Sequence, residues 1–419
     1  MALKKKPVTG MKDISPREME IRDYVEGVIK DTYRAYGFTP IETPCMESIE
    51  NLSSRQGGEN EKLIFKVLKR GEKLNVAEAT TPEEIVDMGL RYDLTVPLVR
   101  YYSNHANDLP KPFKALQTGN VWRADRPQKG RYRQFRQCDI DIIGEPTNMA
   151  ETELILATTE TLGKLDFSGF EVRINDRRML KAMALWAGFK EEDLDGVFII
   201  LDKMDKIGEE GVSEELVKFG YSKETADKYL SLFAGLKDKD SIADCVGFLS
   251  KELSDQLCDD AALNLSQIAV SVEAAKRADF KLVFDPTLVR GMSYYTGTIF
   301  EIAMPQYGGS CGGGGRYDAM VAGFTGQQVP ACGFSIGFER IIMLLMDNDF
   351  KVPGTSAKKA YLVEKNYPTE KLADVFKQAA AEREEGVSVL VVPMNKNKKF
   401  QKEQLKEQGY EDFQEFFNN

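Results

Sequence analysis

Apolar residues at helical spacing open the chain. Ile21, Tyr24, Val25, Val28, Ile29, Thr32 and Tyr33 recur three or four apart, which predicts a helix over residues 17–36 with one face buried. Ser15 or Asp13 is placed to cap its start, and Gly37 to stop it. Residues 38–44 then read as a strand closing on Pro44, with short strands near 63–68 and around 91–95 and a helix over 97–103. Strands are predicted again at 115–122 and 134–143, with a helix following at 148–162.

From about 165 to 280 the pattern changes to charged, amphipathic helices, among them 214–219, 222–233 and 260–278. Strand-rich sequence returns at 281–284, 294–303 and 331–335 and ends in a helix at 338–346. A turn-rich linker at 353–356 precedes a stretch alternating strand and helix, with strands at 360–363 and 387–392 and helices at 370–384 and 400–408. The expected organisation is α+β. A core runs through 1–164 and 281–350, a helical insertion (165–280) interrupts it, and a small α/β domain follows at 358–419.

The 419 residues are 42% hydrophobic, enough for one large core and a satellite domain. A net charge of −10 means that any bound nucleic acid must be held by a local basic surface. No apolar run approaches a membrane span, and the lysine-rich start leads into no apolar signal region, so a cytoplasmic protein is expected. Six cysteines without CxxC spacing argue for reduced thiols and against structural zinc. One histidine, His105, sits in a polar stretch that reads as a surface helix end, so a histidine-rich metal site is excluded. Chemistry must rest on arginines, carboxylates, tyrosines and backbone dipoles, which points to electrostatic catalysis on phosphates.

Four segments could carry it. Between Lys111 and Arg136 lie eight basic residues and one acid, Asp125, with Pro127 and Gly130 making a turn between two strands. Such a hairpin can clamp phosphates while its tip reaches a nucleic-acid backbone, although charge density alone equally suits a solvated hairpin. Arg290-Gly291 precedes two tyrosines, Tyr294 and Tyr295, that open a strand. By itself this reads as an ordinary aromatic strand with a surface arginine. The glycine run 312–315 before Arg316-Tyr317-Asp318 fits neither a Walker A loop nor GxGxxG, and is either a flexible hairpin or a backbone that approaches a small substrate. Gly333 to Arg340 reads as strand, glycine turn and helix start with an arginine in the first turn, a place that suits polyphosphate.

In this order the segments resemble the three signature motifs of class II aminoacyl-tRNA synthetases: the helix and strand ending at Pro44, Arg123 to Asp141, and Gly333 to Arg340. Residues 290–301 and 313–318 resemble the two histidine-specific motifs of histidyl-tRNA synthetases, and 9–14 and 90–95 are similar to that family as well. The resemblance implies a class II antiparallel sheet flanked by helices and a histidine–tRNA ligase using ATP, with Mg²⁺ on the ATP phosphates. L-histidine and tRNA(His) would be its partners and the chain a homodimer with Pro44 at the interface. It further implies that Arg123, Arg290 and Arg340 are catalytic, with Arg123, Asp125, Arg131 and Arg340 at ATP. Asp93, Thr95 and Gln137 would hold the α-amino group of histidine and Arg290 its carboxylate. Asp141 and Tyr295 would read the imidazole, with Tyr294 and Tyr317 beside them. Arg126, Gln128, Lys129 and Arg133 would meet the tRNA acceptor end. The carboxy-terminal domain resembles an anticodon-binding domain shortened relative to most relatives, and Lys396, Lys398, Lys399, Lys402 and Lys406 equally suit RNA contact or a solvated helix face. The competing reading is a non-catalytic paralogue, such as the regulatory subunit of ATP phosphoribosyltransferase. The presence of all three motif arginines argues against it.

Overall fold

The computed structural model describes residues 3–53, 61–256, 259–289, 294–354 and 357–418. Its first helix, Pro16–Ala35, buries Ile21, Val25, Ile29 and Tyr33 along the predicted stripe. The Ser15 hydroxyl accepts the Glu18 amide at 3.3 Å, so Ser15 is the capping side chain. Gly37, at φ 81°, ends the helix in a left-handed turn that a side chain would strain.

Fourteen strands are described: β1 Thr39–Pro40, β2 Met46–Ser48, β3 Lys66–Leu68, β4 Val86–Leu90, β5 Phe113–Trp122, β6 Gln134–Ile143, β7 Phe170–Asp176, β8 Phe280–Phe284, β9 Thr298–Met304, β10 Gly309–Arg316, β11 Ala331–Ile336, β12 Lys358–Val363, β13 Ser388–Pro393 and β14 Asp412–Phe416. Eight form one sheet in the order β1-β5-β6-β11-β10-β9-β7-β8. Its pairings are antiparallel except the outermost ones, β1 with β5 and β7 with β8. The helix Met149–Lys164 lies against this sheet and, with Asp259–Ala275, covers part of it. A smaller antiparallel sheet, β2-β4-β3, is joined to the helix Thr95–His105 by Arg100, whose Nε donates to Glu47 of β2 at 2.6 Å. Mixed α+β architecture with an antiparallel-dominated sheet is what the sequence predicts.

Several expectations shift. The strand expected around 91–95 ends at Leu90. The Arg91 side chain is drawn inward to the carbonyls of Asn120 (2.8 Å) and Thr43 (2.7 Å), and Asp93 accepts the Val96 amide (3.1 Å) and starts a helix. The strand expected over 38–44 pairs only at Thr39–Pro40. Inside the stretch read as all-helical, β7 joins the main sheet, with Phe170, Val172 and Ile174 alternating inward. The glycine run is no loose hairpin but β10, a central strand. His105 is exposed at its helix end, and the five described cysteines are free thiols, Cys258 lying outside the described residues. No helix among the described residues is long and apolar enough to cross a membrane.

The chain divides into two compact units, 1–13 with 25–345 and 14–24 with 346–419. In the second, β12 is flanked by β13 and β14 in a parallel sheet, β14 being a strand that the sequence pattern does not predict. Alternation along β12 explains its two faces. Tyr361 and Val363 pack with Val375 and Ala379 of the helix Thr369–Glu384, while Ala360 and Leu362 pack with Leu405 of the helix Lys398–Glu407. Two of the five carboxy-terminal lysines, Lys398 and Lys402, are paired with Glu415 at 2.8 and 2.6 Å; Lys396, Lys399 and Lys406 are exposed.

Candidate active site

Strand β6 and its neighbours build the floor of a cavity of about 300 Å³ within the first unit. Side chains along a strand alternate between faces, so Gln137, Asp139 and Asp141 project together into that cavity. Opposite them on β11 stand Ser335, paired with Asp139, and Gly333, paired with Asp141. A Cβ on Gly333 would collide with the Asp141 carboxylate, so only glycine lets that carboxylate lie across the strand. The glycines of β10 have a related use. A Cβ on Gly315 would meet the Thr298 carbonyl at 2.6 Å and the Tyr295 ring at 3.0 Å, and one on Gly312 would meet the Ser335 carbonyl at 2.9 Å.

Tyr317 is fully buried and donates to Asp141 Oδ1 at 2.7 Å. Burial pushes the Asp141 carboxyl up to about 7, with the Tyr317 hydrogen bond pulling it down and the charge of Asp93 pushing it further up. Burial likewise raises Asp139 well above the usual carboxylate range, and neighbouring Asp141 adds to the effect. The Tyr294 ring completes an aromatic wall, 4.7 Å from Tyr295 and edge-on to Tyr317 at 6.2 Å. Aspartate and tyrosine hydroxyls set among aromatic rings suit a flat polar ring with two hydrogen-bonding edges.

The other half of the cavity is cationic. Arg123 leaves the end of β5, its guanidinium 4.2 Å from the Tyr92 ring centre and 5.2 Å from that of Phe135, with Nε donating to the Tyr92 carbonyl at 3.1 Å. Stacking fixes the plane of the fork, which is what a phosphate clamp requires. Arg340 lies in the first turn of the helix Phe338–Asp347, bonded to the Ser310 carbonyl and 5.3 Å from the Tyr307 ring centre. Arg131 lies 3.9 Å from Asp125 across the hairpin, and both line the same cavity.

Arg123, Arg340, Asp125, Arg131, Asp93, Thr95, Gln137, Asp141, Tyr294, Tyr295 and Tyr317 therefore come together, from segments as far apart as 93 and 340. Arg290 lies outside the described residues. Arg126, Gln128 and Lys129 are exposed at the hairpin tip, away from the cavity lining. Arg133 is turned inward instead. Its backbone amide donates to the Gly10 carbonyl at 2.8 Å, its Nε to the Asp125 carbonyl at 3.1 Å, and its stem packs on Gly10. Pro44 is exposed. Sequence reasoning misses Asp139, Ser335 and Phe135, although the two-residue period of β6 that selects Gln137 and Asp141 also selects Asp139. It gives no role to Arg316, whose guanidinium makes a bidentate pair with fully buried Glu151 (2.8 and 2.7 Å) and so anchors the end of β10 next to Tyr317.

The Histidyl-tRNA synthetase family model matches residues 10–341, which include every described group lining this cavity. The chain belongs to the histidyl-tRNA synthetase family. It is 46% identical to the histidine–tRNA ligase of Leifsonia xyli subsp. xyli over 81% of this chain and 80% of that protein. It is 35% identical to the histidine–tRNA ligase of Christiangramia forsetii over 94% and 88%. The crystal structure of histidyl-tRNA synthetase from Nostoc sp. PCC 7120 matches with a TM-score of 0.78 at 28% identity, covering 97% of this chain and 90% of that one. A Bacillus halodurans C structure described as an ATP phosphoribosyltransferase regulatory subunit/histidyl-tRNA synthetase shares the fold at a TM-score of 0.78 and 19% identity. Fold alone therefore does not separate histidyl-tRNA synthetases from that regulatory relative, and the sequence relatives named as ligases favour the synthetase.

Proposed function

We propose that this cavity activates histidine with ATP and then passes it to the 3′ end of tRNA(His). The observation that carries the reading is that Arg123 and Arg340 line one cavity together with the Asp141–Tyr317 pair. In the first step the histidine carboxylate attacks the α-phosphorus of ATP, forming histidyl-adenylate and releasing pyrophosphate. Charge builds on the nonbridging oxygens, and guanidinium groups already held in place by ring faces and backbone carbonyls stabilise it without reorganising. Arg290 is assigned to the histidine carboxylate and the α-phosphate. In the second step a terminal ribose hydroxyl of the tRNA attacks the acyl carbon and AMP leaves.

Histidine is selected by pairing both imidazole nitrogens, one with Asp141 and one with Tyr295, while Asp93, Thr95 and Gln137 receive the α-ammonium. A substrate lacking one nitrogen would leave a buried polar group unpaired, which discriminates more strongly than shape alone. Among the described residues no cluster of three acidic, thiol or imidazole groups offers a protein-built metal cage. Mg²⁺ would enter on the ATP phosphates and supply charge neutralisation there, with Arg131 and Arg340 contacting the phosphates and not the metal. Exposed Arg126, Gln128 and Lys129 are assigned to the acceptor end of the tRNA. Arg133 serves them indirectly by fixing the base of the hairpin to Gly10. Exposed Pro44 fits a homodimer interface, and the protein is taken to work in the cytoplasm. The test is ATP–pyrophosphate exchange by purified protein, with each amino acid in turn. Exchange supported by histidine, and lost in Arg290→Ala, is expected. Undiminished exchange in that variant would remove Arg290 from the mechanism.

A further inference from the structure

Gln137, Ser335 and Asp139, all lining the cavity, form a hydrogen-bonded chain along its wall. Ser335 Oγ donates to Asp139 Oδ1, and Gln137 Nε2 donates to Ser335 Oγ at 3.3 Å. Gln137 Oε1 is buried and has no hydrogen-bond partner among the described residues. A serine hydroxyl carries one proton. Once that proton is committed to the Asp139 carboxyl oxygen, the hydroxyl oxygen can only accept, and the group it accepts from must be the NH₂ end of the glutamine. The carboxamide is thereby oriented with its acceptor oxygen left for the cavity. An unpaired buried acceptor is costly, and what relieves it is a ligand that donates.

We infer that Asp139, acting through Ser335, sets the orientation of the Gln137 carboxamide and so makes the cavity selective for a substrate bearing a free α-ammonium group. The inference rests on the amino-acid-activating reading of the cavity. Asp139 and Ser335 are positioning residues: the group facing the substrate is Gln137. An ammonium offers only donors and therefore needs an acceptor at each contact. Without the chain, the carboxamide can turn over and present its own donors to the ammonium, which opposes binding. The β6–β11 register supports the arrangement, because it places Ser335 directly across from Asp139 and within reach of Gln137 two residues along the same face.

The experiment compares wild type with Ser335→Ala, Asp139→Ala, Ser335→Thr and Asp139→Asn. Threonine keeps the hydroxyl, and the asparagine carbonyl can accept the same proton. Two quantities are read: KM for histidine in ATP–pyrophosphate exchange, and the inhibition constant of imidazolepropionate, which has the ring and carboxylate but no amino group. In both alanine variants the preference for histidine over imidazolepropionate should fall roughly tenfold, the scale of an oriented charge-assisted hydrogen bond, and the threonine and asparagine variants should restore most of it. A general packing defect would weaken both ligands alike and leave the ratio unmoved; that result overturns the relay. Wild-type exchange that does not depend on histidine overturns both the relay and the function it rests on, so the two failures are distinguishable.

Discussion

Replacing Tyr317 with phenylalanine removes one oxygen atom and should displace the pH range in which histidine binds. The Tyr317 hydroxyl donates to Asp141 at 2.7 Å and is the described interaction that pulls the Asp141 carboxyl down against burial, leaving it at about 7. A hydrogen bond to a buried charge contributes about 1.5–3 kcal/mol, and each 1.4 kcal/mol corresponds to one pH unit, so its loss moves the Asp141 titration up by roughly one to two pH units. At pH 7.5 the ionised fraction should fall from about three quarters in wild type to between about a quarter and a few per cent in the variant. If the carboxylate is the form that accepts an imidazole N–H, KM for histidine at that pH rises by roughly 3- to 25-fold, and the gap closes as pH approaches 9.5. The assay is ATP–pyrophosphate exchange at graded histidine from pH 6.5 to 9.5, scored as the ratio of variant to wild-type KM. Substrate imidazole titration is common to both proteins and cancels in that ratio. A ratio that stays constant with pH would refute the argument that Tyr317 acts through the ionisation of Asp141.

Asp141→Asn should abolish histidine activation while stabilising the fold in alkali. Because the folded-state pKa lies above the unfolded value, protonation of Asp141 favours the fold below about pH 4, and that contribution is lost as pH rises through about 7. Thermal melts should place the variant above wild type at pH 8 and nearer to it at pH 4; the reverse order would contradict the burial argument. Arg123→Lys keeps the charge but loses the flat fork held between Tyr92 and Phe135, so kcat should drop by ~10²–10³ with intact folding by circular dichroism. Gly333→Ala drives a methyl group onto the Asp141 carboxylate and should raise KM for histidine well before it affects KM for ATP, both read in the exchange assay. Glu151→Ala leaves the Arg316 guanidinium, part-buried, without its bidentate partner and should cost about 3–5 kcal/mol in denaturant titration.

Long periodic elements and the hairpin chemistry are legible in the amino-acid pattern. The stripe from Ile21 to Tyr33, the β5–β6 hairpin and the Gly333–Arg340 strand-to-helix turn stand where apolar spacing and glycine predict them. What the pattern hides has physical causes. Strand β7 follows a helix and precedes another, so its three inward residues blend into a helical stretch; its strand character comes from pairing with β8 and β9. The run 91–95 looks extended because Leu90 and Leu94 are apolar, yet Arg91 and Asp93 spend their hydrogen bonds on carbonyls and a helix start. Glycines 312–315 look flexible in isolation yet form part of β10, where neighbouring backbones leave no room for side chains at Gly312, Gly314 and Gly315. Asp139 is silent in sequence since a carboxylate gains meaning only from its cross-strand partner, and the Ser335 register is a tertiary fact.

The proposed activation of histidine in this cavity requires that arginines meet at one nucleotide beside the Asp141–Tyr317 pair. A crystal structure with a non-hydrolysable histidyl-adenylate analogue tests that most directly. The expected complex has the imidazole between Asp141 and Tyr295, the ammonium at Asp93, Thr95 and Gln137, and the phosphate mimic held by Arg123 and Arg290, with Arg340 on the nucleotide side. An analogue bound outside this cavity, or bound in it with Arg123 and Arg340 turned away from the nucleotide, would contradict the proposed chemistry.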